Sequence, residues 1–293
     1  MHTPEEIGPA PEQARNGVVQ LLVDDEEAAV EAARRMLSFF SARRLEPGEA
    51  ADQRLLRQVV PENRKRVYDV RRAIDVLVDA GSFLELSAEY APGMVTGLAR
   101  LDGHAVAVVA NDPAHLGGAI DADEARCLQD FLGLVARHEF PLVVLCDTPG
   151  FMVGPETERA GTVRLFSALF GAGAAVRTPI VLVVLRKAYG LGAQAMAGGS
   201  LRTPDLVLCW PTAELGPMGL EGAVRLGFRR ELDEQPDQES RDALERRLIE
   251  QAHEQAKAVN AAEVFEVDDV IDPADTRQHI VQIISSPGSR RDQ

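Results

Sequence analysis

The stretch Pro-Leu-Val-Val-Leu-Cys at residues 141–146 is an apolar run in which polar and apolar side chains do not alternate. Similar runs follow at residues 179–185 and 205–209, and a helical pattern leads into each of the three. Strands without alternation are buried on both faces, which is typical of parallel sheets covered by helices. Because parallel neighbours need a crossover, this order predicts an α/β domain with right-handed βαβ units.

A hairpin is predicted immediately before this region. Residues 96–101 and 104–110 are apolar runs separated by the dipeptide Asp102-Gly103, which is the strongest short-range signal of a two-residue turn. Apolar periodicity predicts the intervening helices at residues 121–138, 158–174 and 192–199. We therefore expect the domain to begin with an antiparallel pair and to continue as parallel strands.

The flanking segments are predicted from their periodicity and their turn-forming residues. They are a strand at 18–23, a helix at 25–40, a linker at 41–64, a helix at 67–80, helices at 221–229 and 230–262, a strand at 264–271 and a helix at 276–284. Residues 286–293 are expected to form a disordered tail.

Composition and charge exclude several classes of partner. The 293 residues are 45% hydrophobic, enough for a sizeable core, and carry a formal net charge of −15. Such a charge repels polyanions, so neither nucleic acid nor an anionic membrane surface is expected as a partner. The sequence shows neither a secretory signal nor an uncharged stretch long enough to span a bilayer, so we expect a protein that is neither exported nor membrane-embedded.

The number and spacing of the three cysteines predict buried thiols rather than disulfides or a metal site. Cys127, Cys146 and Cys209 are too few and too irregularly spaced for a disulfide framework or a metal centre. A reducing, cytoplasmic location fits this pattern.

Two glycine-containing loops follow the predicted strands. Residues 147–155 come after the first buried strand and residues 186–193 after the second. Ligands collect where parallel strands end, and a helix beginning near Gly192 would direct unpaired N–H groups toward a ligand. One hypothesis is an oxyanion hole made of backbone donors. The alternative is that these glycines only allow tight turns and close packing.

A dinucleotide site is a competing interpretation of the second loop. Residues 190–195 match the pattern G-x-G-x-x-A, and Glu214 follows about twenty residues later. Residues 186–189 separate this pattern from the predicted end of the strand, which argues against it. Side-chain catalysts are scarce: Asp147 could be a base, but its position before Pro149 suits an Asx turn equally well.

Ordered blocks of sequence carry a resemblance to a known family. The blocks are residues 51–53, 67–71, 92–96, 110–113, 147–154, 186–192, 210–212 and 218–224. They resemble the biotin-dependent acyl-CoA carboxyltransferases, the β subunits of propionyl-CoA, acetyl-CoA and methylcrotonyl-CoA carboxylases. The resemblance is to the C-terminal half of these proteins, and residues 1–40 look like the end of the N-terminal half. It implies a crotonase-like (ClpP/crotonase) spiral of βαβ units at residues 65–285, with a C-terminal helical extension.

The resemblance also implies roles for individual residues. Gly190, Leu191 and Gly192 would supply the backbone oxyanion donors, although many family members have Gly-Gly-Ala at these positions. The residues expected to bind biotin are Pro149, Gly150, Phe151 and Tyr189. Gln194 would help to shape the acyl pocket, and no metal is expected. At a helix position where the family often has lysine, this chain has Glu124.

By the same resemblance, the reaction transfers a carboxyl group from carboxybiotin, held on a carrier protein, to the α carbon of an acyl-CoA. The biotin anion removes the α proton, so no protein base is needed, and no cofactor is tightly bound. The implied partners are a biotin carboxyl carrier or biotin carboxylase subunit, a separate N-terminal carboxyltransferase half, and further copies in a homo- or hetero-oligomer. Two alternatives are a non-catalytic assembly subunit and a crotonase-like acyl-CoA decarboxylase or isomerase.

Overall fold

The computed structural model describes residues 7–41 and 44–286. The strands are β1 (Leu84–Leu86), β2 (Met94–Leu101), β3 (His104–Asn111), β4 (Leu142–Thr148), β5 (Ile180–Tyr189), β6 (Leu206–Cys209), β7 (Glu214–Gly216) and β8 (Asp269–Val270). The α-helices are α1 (Ala10–Arg15), α2 (Glu26–Phe39), α3 (Arg71–Leu77), α4 (Ala122–His138), α5 (Pro155–Arg159), α6 (Thr162–Ala174), α7 (Gly190–Met196), α8 (Leu220–Gly227), α9 (Arg229–Asp233), α10 (Gln238–Ala256), α11 (Ala258–Glu263) and α12 (Thr276–Ile284). Short 3-10 helices cover Gln53–Gln58, Leu116–Gly118 and Pro273–Asp275.

All eight strands belong to one sheet. The order is β1-β2-β3-β4-β5-β6-β8, and β7 pairs with the end of β5. The β1, β2 and β3 strands are antiparallel, whereas every later pair is parallel. The predicted change from a hairpin to parallel βαβ units is therefore confirmed.

The hairpin between β2 and β3 has the predicted two-residue turn. Leu101 pairs with His104, and the turn residues Asp102 and Gly103 have φ values of 55° and 77°. Positive φ at both positions is the signature of a type I′ turn, whose twist matches that of the flanking strands. Asp79 stabilises this turn, because its carboxylate accepts the N–H groups of both turn residues at 2.9 Å.

Helices cover both faces of the sheet. Along β5, Leu182 and Val184 belong to a core layer with residues of α4 and α6. The alternate residues Val181 and Val183 belong to a second layer with residues of α3 and α12. Burial on both faces explains why the central strands lack polar alternation.

Several predictions of secondary structure are wrong. Residues 18–23 form no strand, since the chain there follows α1 in an irregular path. The helix predicted at 158–174 is two helices, α5 and α6, separated where Gly161 takes a φ of 68°. Residues 264–271 contain only the two-residue strand β8, because the first of them end α11.

The domain boundaries remain predictions. Within the proposed linker at 41–64, Leu56 is buried and the backbone N–H of Gly48 donates to Asp79. The proposed tail at 286–293 lies, apart from Ser286, outside the described residues. Among the residues that the structure describes, no helix is both long enough and apolar enough to cross a membrane.

The α6 helix closely approaches the segment that follows α7 at a glycine. A Cβ on Gly173 would lie 2.7 Å from the Cα of Gly198, which is closer than real Cβ contacts. We expect Gly173→Ala to lower the free energy of unfolding by about 1–3 kcal/mol, because α6 must move away from the backbone of Gly198. The control is Gly171→Ala on the same helix, where a Cβ meets no atom within 4 Å. That change should raise stability by about 0.5–1 kcal/mol. Urea denaturation measures the free energy of unfolding of both variants, and the same change in both would contradict the close contact at Gly173.

Candidate functional site

A buried carboxylate joins the C-terminal ends of β4 and β5. Asp147 is fully buried, and its Oδ1 accepts the ammonium of Lys187 at 2.5 Å and the backbone N–H of the same residue at 3.2 Å. Its Oδ2 accepts the Tyr68 hydroxyl at 2.9 Å and lies 3.1 Å from Nη2 of Arg186. Burial and the Asp147 charge raise the pKa of Tyr68, which therefore remains a neutral donor.

This network assigns Asp147 a structural role. Both of its oxygens are occupied by donors, so the carboxylate is not placed to act as a general base. The Asx turn considered for this residue is also not observed. Instead, the side chain of Thr148 makes the turn, since its Oγ1 accepts the N–H of Gly150 at 3.1 Å. Sequence analysis missed this ion pair, although a carboxylate and a lysine at the C-terminal ends of neighbouring buried strands could have indicated it.

The two glycine-containing loops touch each other through backbone atoms. A Cβ on Gly192 would lie 2.7 Å from the Cα of Gly150, so only glycine fits there. Gly190 has a φ of 59°, and a Cβ on it would lie 2.8 Å from the Pro217 carbonyl oxygen. Close packing therefore explains these glycines, and the same packing brings the first turn of α7 against the loop after β4. The N–H groups of a first helical turn lack carbonyl partners within the helix.

A cavity of about 610 Å³, here called the α7 cavity, contains three of the predicted site residues. Gly190, Leu191 and Gln194 line it, together with residues from β7, α10 and α11. The strand β5 continues through Tyr189 directly into α7, so the segment at 186–189 that we predicted as loop is strand. This continuation fixes the direction in which α7 presents its first turn.

The remaining predicted residues are placed around this cavity rather than in it. Gly150 is buried beneath Gly192, and the ring of Phe151 stacks on Phe166 of α6 with 4.0 Å between centroids. Pro149 is half-buried. Tyr189 points away from the α7 cavity, and its hydroxyl donates to Oε2 of Glu214 at 2.9 Å.

A second cleft, of about 850 Å³, lies on the Tyr189 side of β5 and is here called the charged cleft. At its base, the buried Glu214 carboxylate also contacts Nε of Arg64 at 2.7 Å and Nδ1 of His253 at 3.0 Å. No local sequence pattern indicates this cluster, because its members come from three distant segments. Since the carboxylate is occupied, Glu214 is not placed to bind a ribose, and the dinucleotide interpretation loses its support.

The first turn of α4 holds another buried carboxylate. Glu124 accepts the N–H of Asp121 at 3.2 Å, while Asp121 accepts the N–H groups of Asp123 and Glu124, forming a capping box. His115 lies 3.5 Å from the same carboxylate. Ligand atoms of His115, Asp121 and Glu124 lie within 4.8 Å of one another, but both carboxylates already serve the helix cap. Burial, followed by the hydrogen bond and charge of Asp121, raises the pKa of Glu124 to about 7.

Comparison with known proteins agrees with this arrangement. A family profile described as the carboxyl transferase domain matches residues 3–291. This chain belongs to the carboxyl transferase domain family. The predicted crotonase-like α/β fold with a C-terminal helical extension is likewise confirmed by solved structures of such domains.

Three relatives illustrate the relationship of this carboxyl transferase domain. The methylmalonyl-CoA carboxyltransferase 12S subunit of Propionibacterium freudenreichii subsp. shermanii is 36% identical over 99% of this chain and 56% of its own length. A solved transcarboxylase 12S hexamer with methylmalonyl-CoA bound has a TM-score of 0.90 and 34% identity, covering all of this chain and 57% of that one. A single-chain, multi-domain long-chain acyl-CoA carboxylase has a TM-score of 0.89 and 49% identity, covering 96% and 28%. The chain thus spans about half the length of the curated relatives it matches.

Removing the Asp147 carboxylate should destabilise the fold of this carboxyl transferase domain. We expect Asp147→Ala to lower the free energy of unfolding by about 3–5 kcal/mol, because Lys187 and Arg186 would lose the anion that they share. Chemical denaturation measures the loss. Asp52→Asn is the control, since it breaks an exposed pair with Arg54 and should change the Tm little. An equally small effect at Asp147 would contradict the structural role.

The raised pKa of Glu124 predicts a pH dependence of stability. Between pH about 4.5 and about 7 the folded state holds a proton that the unfolded state releases, so stability should fall as pH rises through this window. Glu124→Gln should remove about 2 kcal/mol of that change and be more stable than the parent above pH 7. Urea denaturation at pH 5 and pH 8 tests this. Glu156→Gln, an exposed change in the first turn of α5, should keep the parental dependence, and an unaltered slope in Glu124→Gln would refute the assignment.

Proposed function

We propose that the chain is the carboxyltransferase component of a biotin-dependent acyl-CoA carboxylase. It would transfer a carboxyl group from carboxybiotin to the α carbon of an acyl-CoA. The observation that carries this proposal is the contact between Gly192 and Gly150, which brings the two family loops together beside the α7 cavity. Family membership and the 12S relative support the same activity.

The proposed roles rest on the family resemblance, and the placement of the two loops supports those of the first turn of α7. The first-turn N–H groups of Gly190, Leu191 and Gly192 would donate to the oxygen that gains negative charge. Pro149, Gly150, Phe151 and Tyr189 would line the approach of biotin. Gln194, on the wall of the α7 cavity, would help to shape the acyl pocket.

The chemistry proposed needs no basic side chain from this chain. Carboxybiotin releases its carboxyl group as the N–C bond breaks, and the electron pair remains on the biotin nitrogen. That nitrogen removes the α proton of the acyl-CoA, and the resulting enolate forms a C–C bond to the released carbon. Two buried carboxylates lie close to the loops, those of Asp147 and Glu214. Each is held in an ion pair and is therefore not free to act as a base. The donors that α7 itself offers at its first turn are backbone N–H groups.

We propose a carrier protein bearing biotin and an N-terminal carboxyltransferase half as partners, because the relatives are about twice as long. A hexamer is the assembly of the transcarboxylase 12S relative, and we extend an oligomeric state to this chain on that basis. Three buried free thiols agree with a reducing cytoplasm.

The reverse reaction tests the proposal. Purified chain, alone and mixed with an N-terminal half, is given free biotin and either malonyl-CoA or methylmalonyl-CoA, and formation of carboxybiotin is followed. We expect turnover in the mixture and a loss of at least about a hundredfold with Gly192→Val, which would separate the two loops. Gly133→Val, on an exposed face of α4 with no atom near the new Cβ, is the control and should retain activity. Folded protein without turnover in any mixture would favour a non-catalytic assembly subunit instead.

A further inference from the structure

The α7 cavity lies between two elements that belong to different parts of the fold. One side is the first turn of α7, which continues directly from the central strand β5. The other side includes residues of the segment 255–266, here called the α11 wall, which runs from the end of α10 past the end of α11. The shape of the cavity therefore depends on how the α11 wall is held relative to the end of β5.

The apolar contacts of the α11 wall with the rest of the fold are made by small side chains. Ala258 and Ala261 belong to the core layer that also contains residues of α4 and α6. Ala256 forms a separate small cluster with Tyr189 and Leu220. Because a buried alanine removes little apolar area from water, these contacts stabilise the packing less than larger side chains would. Polar contacts therefore matter more in fixing the position of the wall.

The short strand β7 supplies polar contacts to both sides of the cavity. It pairs in parallel with the last residues of β5, immediately before α7 begins. On its other side, Glu214 forms an antiparallel bridge with Lys257, and the N–H of Ala258 donates to the Ala213 carbonyl at 3.0 Å. The backbone of β7 thus connects the start of α7 to the α11 wall.

The side chain of Glu214 repeats this connection. It is only 4% exposed, and its carboxylate accepts the hydroxyl of Tyr189, the N-cap of α7, at 2.9 Å. The same carboxylate lies 3.0 Å from Nδ1 of His253 on α10 and 2.7 Å from Nε of Arg64. Burial, followed by the Glu214 charge, raises the pKa of Tyr189, so its hydroxyl remains a donor. Hydrogen bonds to an ionised acceptor are stronger than those between neutral groups.

A displacement of β7 would be passed on to the first turn of α7. Gly190 begins α7, and a Cβ on it would lie 2.8 Å from the carbonyl oxygen of Pro217, the residue that follows β7. Backbone donors stabilise a developing charge only when they are held in place before the reaction. A misplacement of about 1 Å at a reacting centre can lower a rate by about a hundredfold. Small movements of this strand would therefore matter to the donors of α7.

Resting on the proposed function, we infer that Glu214 is a positioning residue that fixes the first turn of α7 relative to the α11 wall. It acts through Tyr189 on one side of the cavity and through His253 on the other. Loss of its charge leaves the sheet folded but allows the two sides of the cavity to move relative to each other.

Hydrogen–deuterium exchange of the purified chain tests the inference without a substrate. Glu214→Gln keeps the size of the side chain and an acceptor for Tyr189, but it removes the charge that His253 and Arg64 share. We expect faster deuterium uptake in peptides that cover residues 189–199 and 256–264, with parental uptake in β4 and α4. Equal acceleration in all peptides would overturn the inference in favour of a general role in stability, and parental uptake throughout would overturn it outright.

Two further variants make the comparison specific. Tyr189→Phe removes only the hydroxyl and keeps the ring, so it should accelerate uptake at residues 189–199 even if Glu214→Gln does not fold. Glu245→Gln is the matched control, because it breaks an ion pair with Arg225 in the same charged cleft that joins α10 to α8 rather than to β7. This control should keep parental uptake at both segments, and acceleration equal to that of Glu214→Gln would contradict the role of Glu214.

The reverse reaction of the complete mixture gives a kinetic readout. We expect Glu214→Gln to lower kcat about tenfold and to change KM for malonyl-CoA less than about twofold, because the donors of α7 act on charge that develops in the transition state. Glu245→Gln should keep the parental kcat. An unchanged kcat in Glu214→Gln would overturn the inference.

The two readouts separate this inference from the proposed function. If the parent mixture shows no turnover but Glu214→Gln still accelerates uptake at the two segments, the proposed reaction is overturned and the positioning of α7 remains. If the parent turns over and Glu214→Gln matches it in both kcat and uptake, the positioning role is overturned and the proposed reaction remains.

Discussion

The arrangement of the site depends on the ion pairs and the hydrogen bond made by the buried carboxylate of Asp147. One buried anion binds a lysine, an arginine and a tyrosine, and these contacts fix the C-terminal ends of the two central strands relative to each other. The loop after β4 and the helix after β5 begin only a few residues beyond. Because both start from a fixed base, the Cα atoms of their glycines can pack without a side chain between them. Electrostatics in the core thus determine backbone geometry at the surface.

Much of the fold could be predicted from the sequence, for identifiable reasons. The central strands are buried on both faces, so their composition alone indicates parallel pairing, and the Asp102-Gly103 turn can be recognised because its backbone requires positive φ at both positions. Edge elements were harder to predict. The strands β1, β7 and β8 have two or three residues each, too few to show any periodicity. The break at Gly161 is an exception within a strong helical pattern.

The site was partly predictable for a similar reason. The loop that contains Gly190 and Leu191 was predicted because it follows a strand closely in sequence, and Gln194 was predicted from the family resemblance. The structure places all three on one cavity. Side chains that meet only through the tertiary fold left no local signal. Arg64, Glu214 and His253 are an example, since about 150 residues separate Arg64 from Glu214 and a further 39 separate Glu214 from His253. Tyr189 shows a second limit of sequence analysis. It is adjacent in sequence to Gly190, but the alternation of side chains along β5 directs its ring toward the charged cleft.

The use of backbone N–H groups at the start of α7 has an evolutionary consequence. A main-chain donor is present whatever side chain a codon specifies, provided that the residue is not proline and that the helix keeps its position. Leu191 is exposed and therefore open to replacement during divergence, whereas in this chain the contact with Gly150 leaves no room for a side chain at Gly192. A lineage can change which substrates it accepts by altering the cavity wall while inheriting the reactive geometry intact.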